Sequence, residues 1–157
     1  VGIEIERKFL VADRSCLMGV NGVRIAQGYL SLDPDRTVRV RLAGDDAWIT
    51  IKGRSDGLRR AEFEFPIPPD DASELLAMCL HSVIDKTRHR IASGDHVWEV
   101  DVFHGDNQGL VIAEVELSDE SDLPHLPPWL GAEVTHDPRF LNANLATAPF
   151  RSFHDAL

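Results

Sequence analysis

The chain has 157 residues, 43% of them hydrophobic and 27% charged, which is enough apolar material for one globular domain and too much for a disordered segment. Its formal net charge of −10 excludes broad nucleic-acid binding, which needs a basic surface to displace counterions, so an anionic ligand must meet a local basic site or a metal. No apolar run is long enough to cross a bilayer and no signal peptide opens the chain, so a cytoplasmic protein without membrane contact is expected.

Alternation of period two dominates. Residues 2 to 12 put Glu4, Glu6 and Lys8 on one face and Ile3, Ile5, Phe9 and Val11 on the other, with Arg7 the exception on the apolar side. Further strands are predicted at about 23–32, 36–43 and 46–54. In the second of these Thr37, Arg39 and Arg41 oppose Val38, Val40 and Leu42; in the third Trp48, Thr50 and Lys52 oppose Ala47, Ile49 and Ile51. Asp33-Pro34-Asp35 and Gly44-Asp45-Asp46 supply the turns between them. A strand at 58–67 sets Arg60, Glu62 and Glu64 against Ala61, Phe63 and Phe65, and stops at Pro66 to Pro69.

There the period changes. Asp70 or Asp71 can cap a short helix reaching Leu80, with Leu75, Leu76, Cys79 and Leu80 as its apolar stripe. Strands resume at 83–92, with Lys86, Arg88 and Arg90 on one face, at 96–104, with Glu99 and Asp101, and at 110–118, with Glu114 and Glu116. The proline-rich remainder predicts a helix from Pro138 to Ala146 with Asp137 as its cap. Eight strands in a single domain, residues 1–157, exceed what one open sheet usually carries. The expected fold is mainly β (α+β): an eight-stranded antiparallel barrel or tunnel with a few short flanking helices.

Four strands carry carboxylates two residues apart: Glu4 with Glu6, Glu62 with Glu64, Glu99 with Asp101, and Glu114 with Glu116. That spacing puts both on one face. Other strands do the same with cations: Arg39 with Arg41, Lys52, and Lys86 with Arg88 and Arg90, while Lys8 and Arg60 extend acidic strands. Charged strand faces are ordinarily the solvated outside of a sheet. A surface selected for solubility would mix signs, however, and avoid like charges on one face. Turned inward, the same rows have a use: carboxylate pairs hold hard divalent cations such as Mg²⁺ or Mn²⁺, and arginines and lysines grip phosphate oxygens. The apolar faces then point outward, against helices and loops, leaving some barrel wall exposed or at a homodimer contact.

Other chemistry is not marked. Cys16 and Cys79 lack metal-type spacing and read as reduced thiols, and the histidines His81, His89, His96 and His104 are scattered without a ligand pattern. Trp48, Trp98 and Trp129 read as core or wall rather than as base-stacking platforms.

The opening EIERKFLV, with Glu4, Glu6 and Lys8, resembles the Glu-x-Glu-x-Lys signature of the CYTH superfamily, the triphosphate tunnel metalloenzymes. The segments QGYL, VRVRL, TIKG, RRAEFEFPI, DKTRHRI, WEVDVF and AEVEL follow in the order of that family, as do WLGAEVT and the DPRFLNANLA tail of its short bacterial members. The resemblance implies a tunnel with Glu4, Glu6, Asp101, Glu114 and Glu116 on the metal side, and Glu62, Glu64 and Glu99 as second-shell or alternative metal ligands. It implies Lys8, Arg39, Arg41, Lys52, Arg60, Lys86 and Arg88 as the phosphate grip, and a catalytic set of Lys8, Tyr29 and Lys86 in which Tyr29 and Lys86 act together. Where similar proteins carry a tyrosine and lysines in the C-terminal helix, Phe140, Leu141 and Ala143 stand here, removing its basic contribution.

The expected reaction is metal-dependent hydrolysis of inorganic triphosphate to pyrophosphate and phosphate, one metal bridging phosphates and a second activating water for in-line attack. The alternatives are a nucleoside or thiamine triphosphatase and a class IV type adenylate cyclase; a non-catalytic polyphosphate- or nucleotide-binding module is the rival of another class. Few insertions are available to recognise a base, which favours the bare small-molecule substrate.

Overall fold

The computed structural model describes residues 2–156; Val1 and Leu157, which the single-domain expectation included, lie outside the described residues. Among the described residues nine strands run β1 (Gly2–Val11), β2 (Gly22–Ser31), β3 (Arg36–Ala43), β4 (Asp46–Gly53), β5 (Arg59–Pro66), β6 (Leu80–Ser93), β7 (His96–Phe103), β8 (Val111–Glu116) and β9 (Leu130–Glu133). Two short α-helices join them, α1 (Pro69–Ala77) and α2 (Asn142–Thr147). No helix among the described residues is long and apolar enough to cross a membrane.

The order β5-β4-β3-β2-β6-β7-β8-β1, with β1 returning to pair with β5, closes an eight-stranded antiparallel barrel. Closure depends on the length of β1. One edge of it pairs β8 through Glu6–Leu10, while the other takes β5 along Gly2–Ile5 and then β9 at Phe9 and Val11. The hairpins β3–β4 and β6–β7 turn through Gly44-Asp45 and Gly94-Asp95, each glycine at φ +60°, a conformation that lets tight turns follow the twist of the strands.

Alternation fixes what faces outward. Ile5, Phe9, Trp98, Val100, Ala113 and Val115 form one outer cluster on β1, β7 and β8, closed by Trp129 and Leu130. Trp98 meets Phe9 and Trp129 edge to face at centroid distances of 5.6 and 5.9 Å, a geometry that aromatic quadrupoles favour. Val40 and Ala47 pack on Ala72 of α1. Ile3 and Phe65, outward on β1 and β5, stay about half exposed at 55% and 53%. Inside, one end of the barrel is filled by Tyr29, Ile84, Phe103 and Ile112 and stoppered by Phe140, Leu145 and Ala146.

Four features differ from the sequence-based expectation. Helix α1 is capped by Pro68 with Pro69 at its first position, where a missing N–H costs nothing; Asp70 and Asp71 lie within the first turn, facing the positive end of the helix dipole. The helix ends before Leu80, because Leu80 already pairs with Tyr29. The C-terminal helix is broken: Asp137 accepts a hydrogen bond from Arg139 N and caps a 3₁₀ turn, Pro138–Phe140, after which Leu141 is extended and α2 starts at Asn142. Strand β9, absent from the expected eight, is recruited by the free stretch of β1 beyond β5.

Candidate active site

The closed sheet sorts charge by strand. The neighbouring strands β7, β8, β1 and β5 bring Glu99, Glu114, Glu116, Glu4, Glu6, Glu62 and Glu64 into one half of the interior. The other half, β4, β3, β2 and β6, brings Lys52, Arg39, Arg41, Arg88 and Arg90. All of them border one cavity of about 510 Å³. Lys8 and Arg60 also border it, as cations on acidic strands, together with Tyr29 and residues 141–144 of the C-terminal stopper.

On the acidic side Glu6 stands opposite Glu116 and Lys8 opposite Glu114 in the β1–β8 register. Lys8 is buried; its Nζ donates to the Phe140 carbonyl at 3.0 Å and lies 3.4 Å from Glu114 Oε1. The break at Leu141 thus has a role, because it turns a backbone oxygen toward this lysine. Glu114 titrates below the usual carboxylate range, since Lys8, Arg88 and Lys86 overcome the effect of its burial. Glu6 behaves oppositely: burial, with the charges of Glu114 and Glu4, pushes it up to about 8. Glu62 is raised to about 7 by burial and by Glu4, and Glu116 is raised by burial and by Glu4 and Glu99.

Lys52 spans the two halves, its Nζ 2.7 Å from Glu4 Oε2 and 3.5 Å from Glu62 Oε2. Burial would raise Glu4, and Lys52 brings it back below its ordinary value. Arg60 Nε donates to the Gly53 carbonyl at 2.7 Å, and its Nη2 reaches Thr37 Oγ1 at 3.3 Å. Arg88 is engaged with Asp101 through two hydrogen bonds of 2.8 and 3.0 Å and with Glu99 at 3.3 Å. Arg41 is pressed down to about 9 by burial and the charges of Arg39 and Arg88, which leaves it a cation at neutral pH.

Two residues of the sequence-derived set do not border the cavity. Lys86 and Asp101 are fully buried beside it, Lys86 Nζ lying 2.8 Å from Asp101 Oδ2 without the alignment of a hydrogen bond. Of the residues matched to a catalytic pair, Tyr29 meets the cavity and Lys86 does not. Lys86 is pulled down to about 7 by burial, against the attraction of Asp101. Arg7, outward by parity, pairs with Glu133 through hydrogen bonds of 2.9 and 2.8 Å.

Sequence reasoning left out Thr37, Thr50, Gln27, Asn142 and Asn144 as site residues, and named Arg90 on the cationic face of its strand without giving it a role. Thr37 and Thr50 share strand faces with Arg39 and Lys52, so the alternation already carried them, but neutral side chains gave no signal of chemistry. Asn142 and Asn144 reach the cavity only because the C-terminus folds back over the barrel end.

The carboxylates fit a hard divalent cation. They are oxygen donors, and burial together with neighbouring carboxylates raises Glu6, Glu62 and Glu116, so that ionising them together calls for a cation beside them. Among the described residues no three such groups converge closely enough to hold an ion by themselves. A second hollow of about 430 Å³ opens past Arg41, Glu64, Arg88 and Arg90 and is walled by Val23, Ile25, Ala43 and Trp48.

Known proteins are similar to this chain in sequence and in fold. The model of the CYTH domain matches residues 2–146. An inorganic triphosphatase of Acetivibrio thermocellus is 44% identical over 156 residues, covering 99% of this chain and 100% of that protein. An inorganic triphosphatase of Nitrosomonas europaea is 36% identical over 151 residues, covering 91% and 96%. A crystal structure of an inorganic triphosphatase matches with a TM-score of 0.63 at 34% identity, over 90% of this chain and 96% of its own. The barrel, the sorted charge inside it and these matches place the chain in one family: it belongs to the CYTH domain proteins.

Proposed function

We propose that this protein hydrolyses inorganic triphosphate to pyrophosphate and phosphate, with Mg²⁺ or Mn²⁺ as cofactor. The observation that carries the reading is the division of one cavity into a carboxylate half and a guanidinium-ammonium half. A linear polyanion lies against the cationic strands, where Arg39, Arg41 and Lys52 meet its oxygens, while Lys8 and Arg60 reach it from the acidic strands. Glu4, Glu6, Glu114 and Glu116, with Glu62, Glu64 and Glu99 around them, would hold the metal, which when bound neutralises phosphate charge and activates water. Asp101 and Lys86 act from behind, fixing Arg88. Tyr29 orients a terminal phosphate. Both curated relatives are named inorganic triphosphatases, which supports the same substrate.

A mere binder of polyphosphate would need only the cationic half. A triphosphate ester is the second reading, and the hollow walled by Trp48 favours it, since a flat organic group could lie there. Phosphate release from triphosphate, ATP and thiamine triphosphate with Mg²⁺ or Mn²⁺, with cyclic AMP measured alongside, tests both. Turnover of triphosphate well above the two esters is expected. Turnover of the esters alone would overturn the main reading, and no turnover at all would leave a binding module. The ligand is a small molecule; we further infer a homodimer through the exposed wall of Ile3 and Phe65, and a cytoplasmic location.

A further inference from the structure

Two buried neutral side chains hold the arginines of β3. Gln27 on β2 is fully buried and stands directly across from Arg41, and its Oε1 accepts a hydrogen bond from Arg41 Nε at 3.1 Å. Thr50 on β4, also fully buried, stands directly across from Arg39 on the other side. Its hydroxyl accepts from Arg39 Nη2 at 3.2 Å and donates to Glu64 Oε2 at 2.8 Å. Each arginine therefore has one neutral acceptor at its cross-strand position, supplied by opposite neighbours of β3.

The fold alone does not account for Gln27. A guanidinium is donor only, so the amide must turn its oxygen toward Arg41, and Gln27 Nε2 is then buried with no partner. An unpaired buried amide is destabilising, and an apolar side chain of similar shape would avoid that cost. Nor is the strongest available acceptor used. Arg88 shows the alternative: Asp101 and Glu99 hold it firmly and cancel its charge. A neutral acceptor fixes direction and leaves Arg41 whole for a phosphate, and leaves Arg39 with only the longer, 3.8 Å approach of Glu64.

We propose that Gln27 and Thr50 are positioning residues that aim Arg41 and Arg39 into the cavity without neutralising them. The inference rests on reading these arginines as the phosphate grip. Holding the guanidiniums before substrate arrives removes part of the ordering cost of binding.

The near-isosteric variants Gln27→Met and Thr50→Val should each raise KM for triphosphate about three- to tenfold, the worth of one hydrogen bond, and change kcat far less. Gln27→Met removes the unpaired amide but also the acceptor of Arg41 Nε, so the metal-free protein should melt near the wild-type temperature; melting far below it would make Gln27 a core residue and overturn the proposal. In an Arg41→Ala background Gln27→Met should add nothing further, and additive losses would overturn the proposal as well. A measurement without substrate separates this inference from the reaction. Hydrogen exchange of the Arg41 Nε–H, followed by nitrogen-15 NMR on ligand-free protein, should be slow in wild type and fast in Gln27→Met. Unchanged exchange refutes positioning, whereas absence of phosphate release by wild type refutes only the reaction.

Discussion

Lys86 Nζ lies 2.8 Å from Asp101 Oδ2, and neither side chain has more than 1% of its surface open. Asp101 also takes two hydrogen bonds from Arg88, so one carboxylate balances two cations at the edge of the cavity. Removing one partner of such a buried pair leaves the other charge uncompensated. Asp101→Asn should therefore cost about 3–5 kcal/mol in urea denaturation of the metal-free protein. Adding Lys86→Met should recover part of the loss. A metal ligand with no other duty would leave metal-free stability unchanged or higher, so a loss below about 1 kcal/mol would return Asp101 to the metal side.

Arg39 and Arg41 present cations that no carboxylate binds closely; the nearest, Glu64, lies 3.8 Å from Arg39. Alanine at either position should weaken substrate binding by about 1.5–3 kcal/mol, roughly 10- to 150-fold, with the circular dichroism unchanged. Lysine should restore only part of it, because the planar fork is lost. Wild-type KM in both alanine variants would mean that the substrate lies elsewhere.

Triphosphate hydrolysis should require a divalent cation and stop with chelator, returning when Mg²⁺ or Mn²⁺ is restored. The crowding of carboxylates around Glu6, Glu62 and Glu116, which with burial raises all three, motivates this expectation. Phosphate release that continues after exhaustive metal removal would refute the role given to the acidic half.

The pH dependence of metal-free stability follows from Glu6. Its carboxyl is raised from 4.5 to about 8, so the folded protein binds this proton more tightly than the unfolded chain. Below pH 4.5 both states carry the proton and the contribution to stability is complete. As pH rises the unfolded chain releases it first, and the contribution is lost by about 8. Glu62, raised to about 7, acts in the same direction, while Lys86, lowered to about 7, opposes it only above that pH. Melting temperatures between about pH 5 and 7 should fall with rising pH, and Glu6→Gln should flatten the trend, raise metal-free stability near neutrality and abolish most activity. A flat wild-type profile would put the charged face on the solvent side. Metal together with a non-hydrolysable triphosphate analogue should stabilise wild type most, by binding only the folded state.

Most of the fold was legible because strand alternation is a local property. The shared face of Glu4, Glu6 and Lys8 and the opposite face of Ile5 and Phe9 follow from spacing alone, as does the Gly-Asp turn at residue 44. The segregation of sign that argued for an inward charged face is likewise written strand by strand.

What the sequence determined by itself was which side chains share a face and which strands carry which charge. What only the tertiary structure decided was where those rows end up relative to each other. Strand order places the four acidic strands side by side, although β1, β5, β7 and β8 are dispersed along the chain, because each strand chooses neighbours by closure of the barrel. The same closure separates residues that look alike in sequence. Lys86 and Arg88 sit two apart on one face, yet Lys86 is sealed against Asp101 and Phe103 while Arg88 borders the cavity, since depth along the barrel sets access to solvent and parity does not record depth. Lys8 finds the Phe140 carbonyl for a related reason: a hydrogen bond depends on distance in space, and partners 132 residues apart in the chain come within 3.0 Å only when the C-terminal segment stoppers the barrel, whereas Gln27 and Arg41 meet through the register of the β2–β3 hairpin.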